Sequence, residues 1–219
     1  MLFFPVNCLL CSKRLPAPGE VICLSCEQKI PRTGYTSLPK NPVHMGFWGR
    51  IPVEHSTSLF RFEKGSSYQS LLHDLKYRGN RRVGLYLGRL LGHDLKNSSY
   101  AHCDVIVPVP LHRKRLRQRG YNQSEIIATG VSEIINIPIE LNLLMRNVHK
   151  GSQTFMGRYE RFENVSGSFC ITKKAPPMNG KKILLIDDVV TTGATLEACC
   201  QTLHRQYTCQ VYIATVCCA

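Results

Sequence analysis

Apolar and polar residues alternate along this chain with periods that change from block to block, and the blocks outline its elements. The unbroken apolar run Ile183-Leu184-Leu185-Ile186 has the composition of a strand buried on both faces. Asp104 to Val109 reads as another strand, closed by Pro108-Val109-Pro110, where proline ends the hydrogen-bond ladder. Ser58 to Phe62 and Gln210 to Val216 read as two more. Elsewhere the period is helical. Leu71, Leu72 and Leu75 share one face between Tyr68 and Tyr77. Val83, Leu87, Leu90, Leu91 and Leu95 mark a stronger helix up to Leu95, and Ile126, Ile127, Val131, Ile134 and Ile135 mark one from Ser124. Gly84, Gly88 and Gly92 recur within the second of these helices. Glycine weakens a helix, so close packing against a neighbour is the expected reason. Residues 31–55 are rich in Pro, Gly and polar side chains and predict a connector with little regular structure. Its Trp48 is expected to pin the connector to the main domain, with base stacking as the alternative.

The chemistry concentrates where the apolar run ends. Asp187 and Asp188 follow it, then Val189, Val190, Thr191, Thr192, Gly193, Ala194 and Thr195, leading into a helical pattern. In an open parallel sheet, ligands bind beyond the carboxyl ends of the strands. Free amides and hydroxyls at a helix start suit an anion. Two vicinal carboxylates suit the hydroxyls of a pentose or a divalent metal. Together they fit a sugar that carries a phosphate.

Eleven cysteines change the picture at the N-terminal end. Cys8 and Cys11 are spaced Cys-x2-Cys, and Cys23 and Cys26 repeat the spacing. Two such knuckles complete a four-sulfur tetrahedral site with no position left for water, so a structural zinc is expected in a finger over residues 1–30. An iron–sulfur cluster or a redox pair are the alternatives. A segment this short depends on its metal to fold. The other seven (Cys103, Cys170, Cys199, Cys200, Cys209, Cys217, Cys218) lie in or beside apolar runs and read as small buried hydrophobes in a reducing compartment. No apolar run is long enough to span a bilayer, and Met1-Leu2-Phe3-Phe4-Pro5 does not read as a signal peptide, so a cytoplasmic protein without membrane insertion is expected.

The formal charge is +13, and between Arg61 and Arg119 thirteen Lys or Arg face only Glu63, Asp74, Asp94 and Asp104. That excess surpasses the needs of one small phosphorylated ligand and suggests a polyanion as well. Lys76 to Arg82, with Lys76 and Arg78, is either a solvated turn or a phosphate loop. Arg113, Lys114, Arg115, Arg117 and Arg119 fall within seven residues without an acid. This segment is expected to be mobile until an anion arrives, serving as a lid over a polyphosphate or as a nucleic-acid arm with Tyr121 stacking; a solvated loop is the third reading. Residues 141–170, with Arg146, Gln153-Thr154, Arg158 and Arg161, suit either a flap or a surface excursion.

The order of these pieces resembles the ComF competence proteins. The residues that carry the resemblance are the four cysteines, Lys76 to Asn80, Pro108 to Pro110 with the cations up to Arg119-Gly120-Tyr121-Asn122-Gln123, Gln153-Thr154 with Arg158 to Val165, and Asp187 to Thr195. The last stretch is similar to the phosphoribosyl pyrophosphate (PRPP) loop of type I phosphoribosyltransferases. The resemblance implies an α/β fold over 56–219, a parallel sheet flanked by helices with a hood over the site. It also implies PRPP or a ribose 5-phosphate-type ligand, with the catalytic pair Asp187 and Asp188 on the ribose hydroxyls directly or through Mg²⁺. Thr191 to Thr195 would wrap the 5′-phosphate, and Val109 and its neighbours would face pyrophosphate. The implied role is natural transformation, with single-stranded DNA and other competence proteins as partners. A metabolic phosphoribosyltransferase moving ribose 5-phosphate onto a base or amine is the alternative, and a regulator binding PRPP without chemistry is a third. No residue marks the acceptor.

Overall fold

The computed structural model describes residues 6–17, 19–147 and 168–219. Readings placed on Met1–Pro5, Gln153-Thr154 and Arg158 to Val165 lie outside the described residues. In chain order the elements are α1 (Leu24–Glu27), α2 (Pro42–Met45), β1 (His55–Arg61), α3 (Gln69–Tyr77), α4 (Arg81–Leu95), β2 (Val105–Pro108), α5 (Arg113–Arg119), α6 (Gln123–Ile135), β3 (Leu144–Arg146), β4 (Phe169–Ile171), β5 (Lys182–Val190), α7 (Ala194–Gln206) and β6 (Gln210–Cys218).

Four strands form one sheet in the order β1-β6-β5-β2, each pair parallel, and β3 and β4 form a separate antiparallel ribbon. The central strand β5 explains its own composition. Leu184 and Ile186 turn to one face, where they pack with Val83, Leu87 and Leu91 of α4 and Ile127 and Val131 of α6. Ile183 and Leu185 turn to the other, against Leu196, Cys199, Cys200 and Leu203 of α7. A strand covered on both faces has no polar alternation to show.

The glycines of α4 meet α6. A Cβ at Gly88 would stand 2.2 Å from the Ile127 carbonyl oxygen, and one at Gly130 of α6 would stand 2.4 Å from that of Leu85. The two backbones approach so closely that any side chain at either position forces them apart.

The N-terminal segment shares the core of the main domain: Cys8, Leu15, Val21, Ile22 and Ile30 are buried in the same cluster as Val83 and Leu87. Polar contacts hold it as well. Arg32 reaches Asp94 at 2.8 Å, and the Tyr86 hydroxyl donates to Glu27. Residues 31–55 are more regular than expected, with α2 and a 3-10 turn at Tyr35–Ser37. Asn41 fixes them: its Oδ1 caps α2 by accepting from Val43 and His44, and its Nδ2 donates to the Ser56 carbonyl at 2.8 Å. Trp48 is not the anchor, being 67% exposed; its neighbour Phe47 is 2% exposed and fills that role. Both residues lie in the turn after α2; the indole is exposed, whereas Phe47 turns inward against Gly193. No helix among the described residues is long and apolar enough to cross a membrane.

Candidate functional site

β5 runs past the end of β2, and this overhang creates the site. β2 stops at Pro108, paired with Ile186; the last link is the Val109 N–H donating to the Ile186 carbonyl at 2.9 Å. Asp187 and Asp188 therefore belong to β5 itself, not to the loop after it, and keep a strand neighbour only on the β6 side. The start of α6 fills the other side. Asn122 caps that helix through Oδ1 and donates its Nδ2 to the Val109 carbonyl at 3.0 Å. The turn puts the Ser124 hydroxyl 2.9 Å from Asp187 Oδ1, which also accepts the Asp188 N–H at 2.9 Å. Across the gap, Lys76 at the end of α3 pairs with Asp188 Oδ2 at 3.1 Å.

These groups floor a cavity of about 220 Å³. Val109, Val189 and Thr195 border it, Arg115, Arg119 and Arg146 line it, and Gln123 completes the wall. Gln123 is 2% exposed, and its side-chain nitrogen has no partner among the described residues. Floor and walls carry opposite charge. Burial and the adjacent Asp188 carboxylate push Asp187 up to about 7, outweighing the Asp188 amide, Ser124 and Lys76. Burial and the Arg115 guanidinium hold Arg146 below its usual value. The floor favours a cation or hydroxyl donors, and the walls favour an anion. Both carboxylates offer oxygen donors suited to Mg²⁺, which when bound neutralises phosphate charge.

The loop after β5 is built differently. Gly193 adopts φ 77°, and a Cβ there would lie 2.7 Å from the Phe47 ring. Arg50 braces the loop from behind, donating to the carbonyls of Thr192 at 3.0 Å and Gly46 at 2.9 Å and pairing with Glu197. Val190, Thr191, Thr192 and Gly193 border a separate, largely apolar cavity of about 120 Å³ with Pro42, Val43 and Phe47. Of the loop residues expected around one phosphate, Thr195 reaches the acidic cavity, while Ala194 borders neither.

The basic segment corrects its expectation. Arg113 to Arg119 forms the helix α5, started by His112, whose Nδ1 accepts the Lys114 N–H at 3.1 Å, and ended by Gly120 at φ 79°. Arg115 and Arg119, four residues apart, share the face on the cavity, while Arg113, Lys114 and Arg117 are exposed and border neither hollow. Tyr121 is no free stacking platform: it is 6% exposed, its hydroxyl donates to the Leu75 carbonyl, and the Arg81 guanidinium covers its ring. Arg78 pairs with Asp74 at 3.1 Å and stays outside the cavity. The exposed aromatic ring here is Tyr77, at 70%. Gln123, Ser124 and Tyr77 carry no individual role in the sequence pattern, and Arg146 enters it only within a flap or surface excursion. The Asn122-Gln123 pair closing the basic motif was the available signal.

At the other end, Cys8, Cys11, Cys23 and Cys26 bring their sulfurs within 4.8 Å of one another. Cys11 and Cys23 are 3.7 Å apart, and a tetrahedron with Zn–S bonds of about 2.3 Å has edges of about 3.8 Å. Burial raises the Cys8 thiol, but N–H groups of Cys23 and Leu10 outweigh it and bring it down to about 6. Burial and the three neighbouring thiols push Cys26 up to about 12. Four thiols this close cannot all ionise without a cation, so the cluster fits a metal. Of the remaining cysteines, Cys103, Cys199, Cys200 and Cys217 are buried, and Cys170, Cys209 and Cys218 are half-buried.

Residues 122–219, from the cap of α6 through β6, match the phosphoribosyl transferase domain family. Competence protein F of Haemophilus influenzae is 24% identical over 94% of this chain and 93% of its own length. The DNA utilization protein YhgH of Escherichia coli is 27% identical over 99% of both chains, and the competence protein ComFC of Bacillus subtilis is 26% identical over 86% of this chain and 85% of its own. Adenine phosphoribosyltransferase of Thermoanaerobacter pseudethanolicus aligns over 64% of this chain and 82% of that chain at a TM-score of 0.40 and 14% identity, too loosely to place individual residues. A match to the phosphoribosyl transferase domain, a four-cysteine cluster ahead of it, and likeness along most of the chain to competence and DNA-utilization proteins together support a ComF family competence protein.

Proposed function

We propose that the protein binds PRPP or a ribose 5-phosphate-type ligand with Mg²⁺ over Asp187 and Asp188, and binds single-stranded DNA through its basic face, as a ComF factor handling DNA in natural transformation. One observation carries the reading: two carboxylates on an overhanging strand end, crowded enough to hold Asp187 near 7, beneath Lys76, Arg115, Arg119 and Arg146. Acids below and cations around match a pentose with vicinal hydroxyls and phosphates. Asp187 and Asp188 take the hydroxyls, directly or with Mg²⁺ between. Ser124 holds the Asp187 carboxylate in place. Thr195 and the amides opening α7 meet the 5′-phosphate. Arg146 and Gln123 offer donors to the remaining oxygens. The names of the relatives support the setting in competence and DNA use. Zinc is the proposed metal of the cysteine cluster, in a structural role.

Calorimetric titration of PRPP with Mg²⁺ tests the ligand. Asp187→Asn and Asp188→Asn are expected to weaken binding about a hundredfold while thermal unfolding stays cooperative, in keeping with losing hydrogen bonds to charged groups. Unchanged affinity in both variants contradicts the placement. A second reading, transfer of the ribose 5-phosphate to a base or amine, draws on Asp187, whose near-neutral carboxyl suits proton exchange. Pyrophosphate release in the presence of an acceptor separates it from binding alone.

A further inference from the structure

The acidic cavity does not end at Lys76. A second hollow of about 340 Å³ adjoins it, lined by Lys76, Tyr77, Gly79, Arg115, Gln118 and Arg119. Lys76, Tyr77, Arg115 and Arg119 line both spaces, so one wall serves two chambers. The chambers differ in chemistry. The first has Asp187 and Asp188 on its floor, whereas no carboxylate among the described residues lines the second. Without acids the second offers no carboxylate pair to grip vicinal hydroxyls or a metal, but its cations suit phosphate oxygens. It also has the Tyr77 ring, 70% exposed, with the Arg119 guanidinium 5.6 Å from its centre. Cations beside an accessible flat ring make up a single-strand binding site: the cations follow the backbone and the ring accepts a base.

We propose that this second hollow takes a phosphodiester segment of a single-stranded nucleic acid, and that the strand and PRPP exclude one another because Arg115 and Arg119 belong to both chambers. The proposal rests on the phosphoribosyl reading of the first cavity. The helix fixes the conflict. Arg115 and Arg119 stand one turn apart on α5, which anchors both side chains at the wall the chambers share. A guanidinium committed bidentately to one phosphate group has fewer donors for a second, and two polyanions on either side of one wall repel. The protein would then hold strand or sugar phosphate, with the concentration of PRPP deciding when the strand is released.

The test uses the full chain and a fluorescently labelled oligothymidylate, read by anisotropy at fixed ionic strength. Saturating PRPP with Mg²⁺ is expected to weaken strand binding at least about tenfold relative to Mg²⁺ alone. Asp188→Asn is expected to remove that effect while the strand still binds. Gln118 is an exposed residue that lines the second hollow and not the first. Gln118→Glu is therefore expected to weaken the strand about tenfold and PRPP much less. Strand affinity that saturating PRPP does not move overturns the exclusion, and strand affinity that Gln118→Glu does not move overturns the assignment of the hollow. A direct PRPP titration keeps the two readings apart. If PRPP does not bind the unaltered chain, the phosphoribosyl reading and the exclusion both fall, and Gln118→Glu alone decides the hollow.

Discussion

The cysteine cluster and the acid pair both crowd ionisable groups of one kind into a small space, yet they are assembled in opposite ways. The sulfurs come from two short knuckles, with Cys8 and Cys23 fifteen residues apart in sequence, and local N–H groups orient them. All four lie within 4.8 Å of one another, and four sulfurs suffice for a tetrahedral ion with no position left for water. The acids come from one strand end, and their surroundings come from α3, α5, α6 and β3, brought together only by the sheet. That site has two oxygen-bearing groups and about 220 Å³ of space above them. The difference matches the two proposed roles, a metal that stabilises and a cavity that binds: one is compact and local, the other open and made by topology.

The closed centre is expected to show the largest effect. Removing its metal with a chelator, or replacing Cys8 and Cys11 by Ser, should lower the melting temperature by more than about 10 °C, because structural zinc supplies about 10–16 kcal/mol of apparent binding free energy in small domains. The N-terminal segment shares its core with α4, so the loss should spread into the main domain. Elemental analysis should find about one zinc per chain. An unchanged melting temperature after complete metal removal breaks the comparison.

The open centre should respond to pH. Asp187 stands near 7 in the fold and near the ordinary carboxylate value of about 4 when unfolded. Between those values the folded state carries the extra proton, so the contribution of Asp187 to stability is fully present below about pH 4 and is lost as pH rises through about 7. Asp187→Asn should flatten that slope and make the protein about 1–2 kcal/mol more stable at pH 8 by chemical denaturation, since it removes a crowded charge. Affinity for PRPP with Mg²⁺ should move oppositely in the unaltered chain, rising from about pH 6 to about pH 8 as Asp187 ionises. A variant with the same pH slope as the parent contradicts the electrostatic account.

The two centres were not equally legible in the sequence. Spacing alone identified the cysteines, because a knuckle is local. The run Ile183–Ile186 announced a doubly covered strand, and the helices α3, α4 and α6 appeared within two residues of their bounds. Two contacts did not announce themselves. Phe47 rather than Trp48 faces Gly193, a choice made by the direction of the turn that follows α2. Tyr121 looked like a platform but is sealed against α3, leaving Tyr77 exposed in its place. The helical α5 was obscured by its charge. Five cations suggested a mobile arm, but the cap at His112 and the left-handed Gly120 bound a regular helix, and its period sorts the cations into two sets.

The loop behind the open centre supplies a smaller effect. Gly193→Ala should cost about 1–2 kcal/mol for a left-handed residue, with a further loss from the collision with Phe47, and should weaken PRPP binding by disturbing the start of α7. Phe47→Ala should restore part of the PRPP affinity in that background; if the double variant binds no better than Gly193→Ala, the ring is not what the methyl meets. The smallest effect concerns the outward cations. Replacing Arg113, Lys114 and Arg117 by Ala should lower the salt dependence of strand binding by about 0.7 for each phosphate that is no longer neutralised, and leave PRPP affinity unchanged. Replacing Arg115 and Arg119 should weaken both ligands, and equal effects from the two sets would erase the division of α5.

A crystal structure of the protein with ribose 5-phosphate tests the central claim most directly. The sugar hydroxyls are expected within hydrogen-bond or metal-bridged reach of the Asp187 and Asp188 carboxylates, with the phosphate at the opening of α7 beside Thr195. A ligand lodged in the apolar cavity by Phe47, or held by Arg115 and Arg119 without either acid, would contradict it.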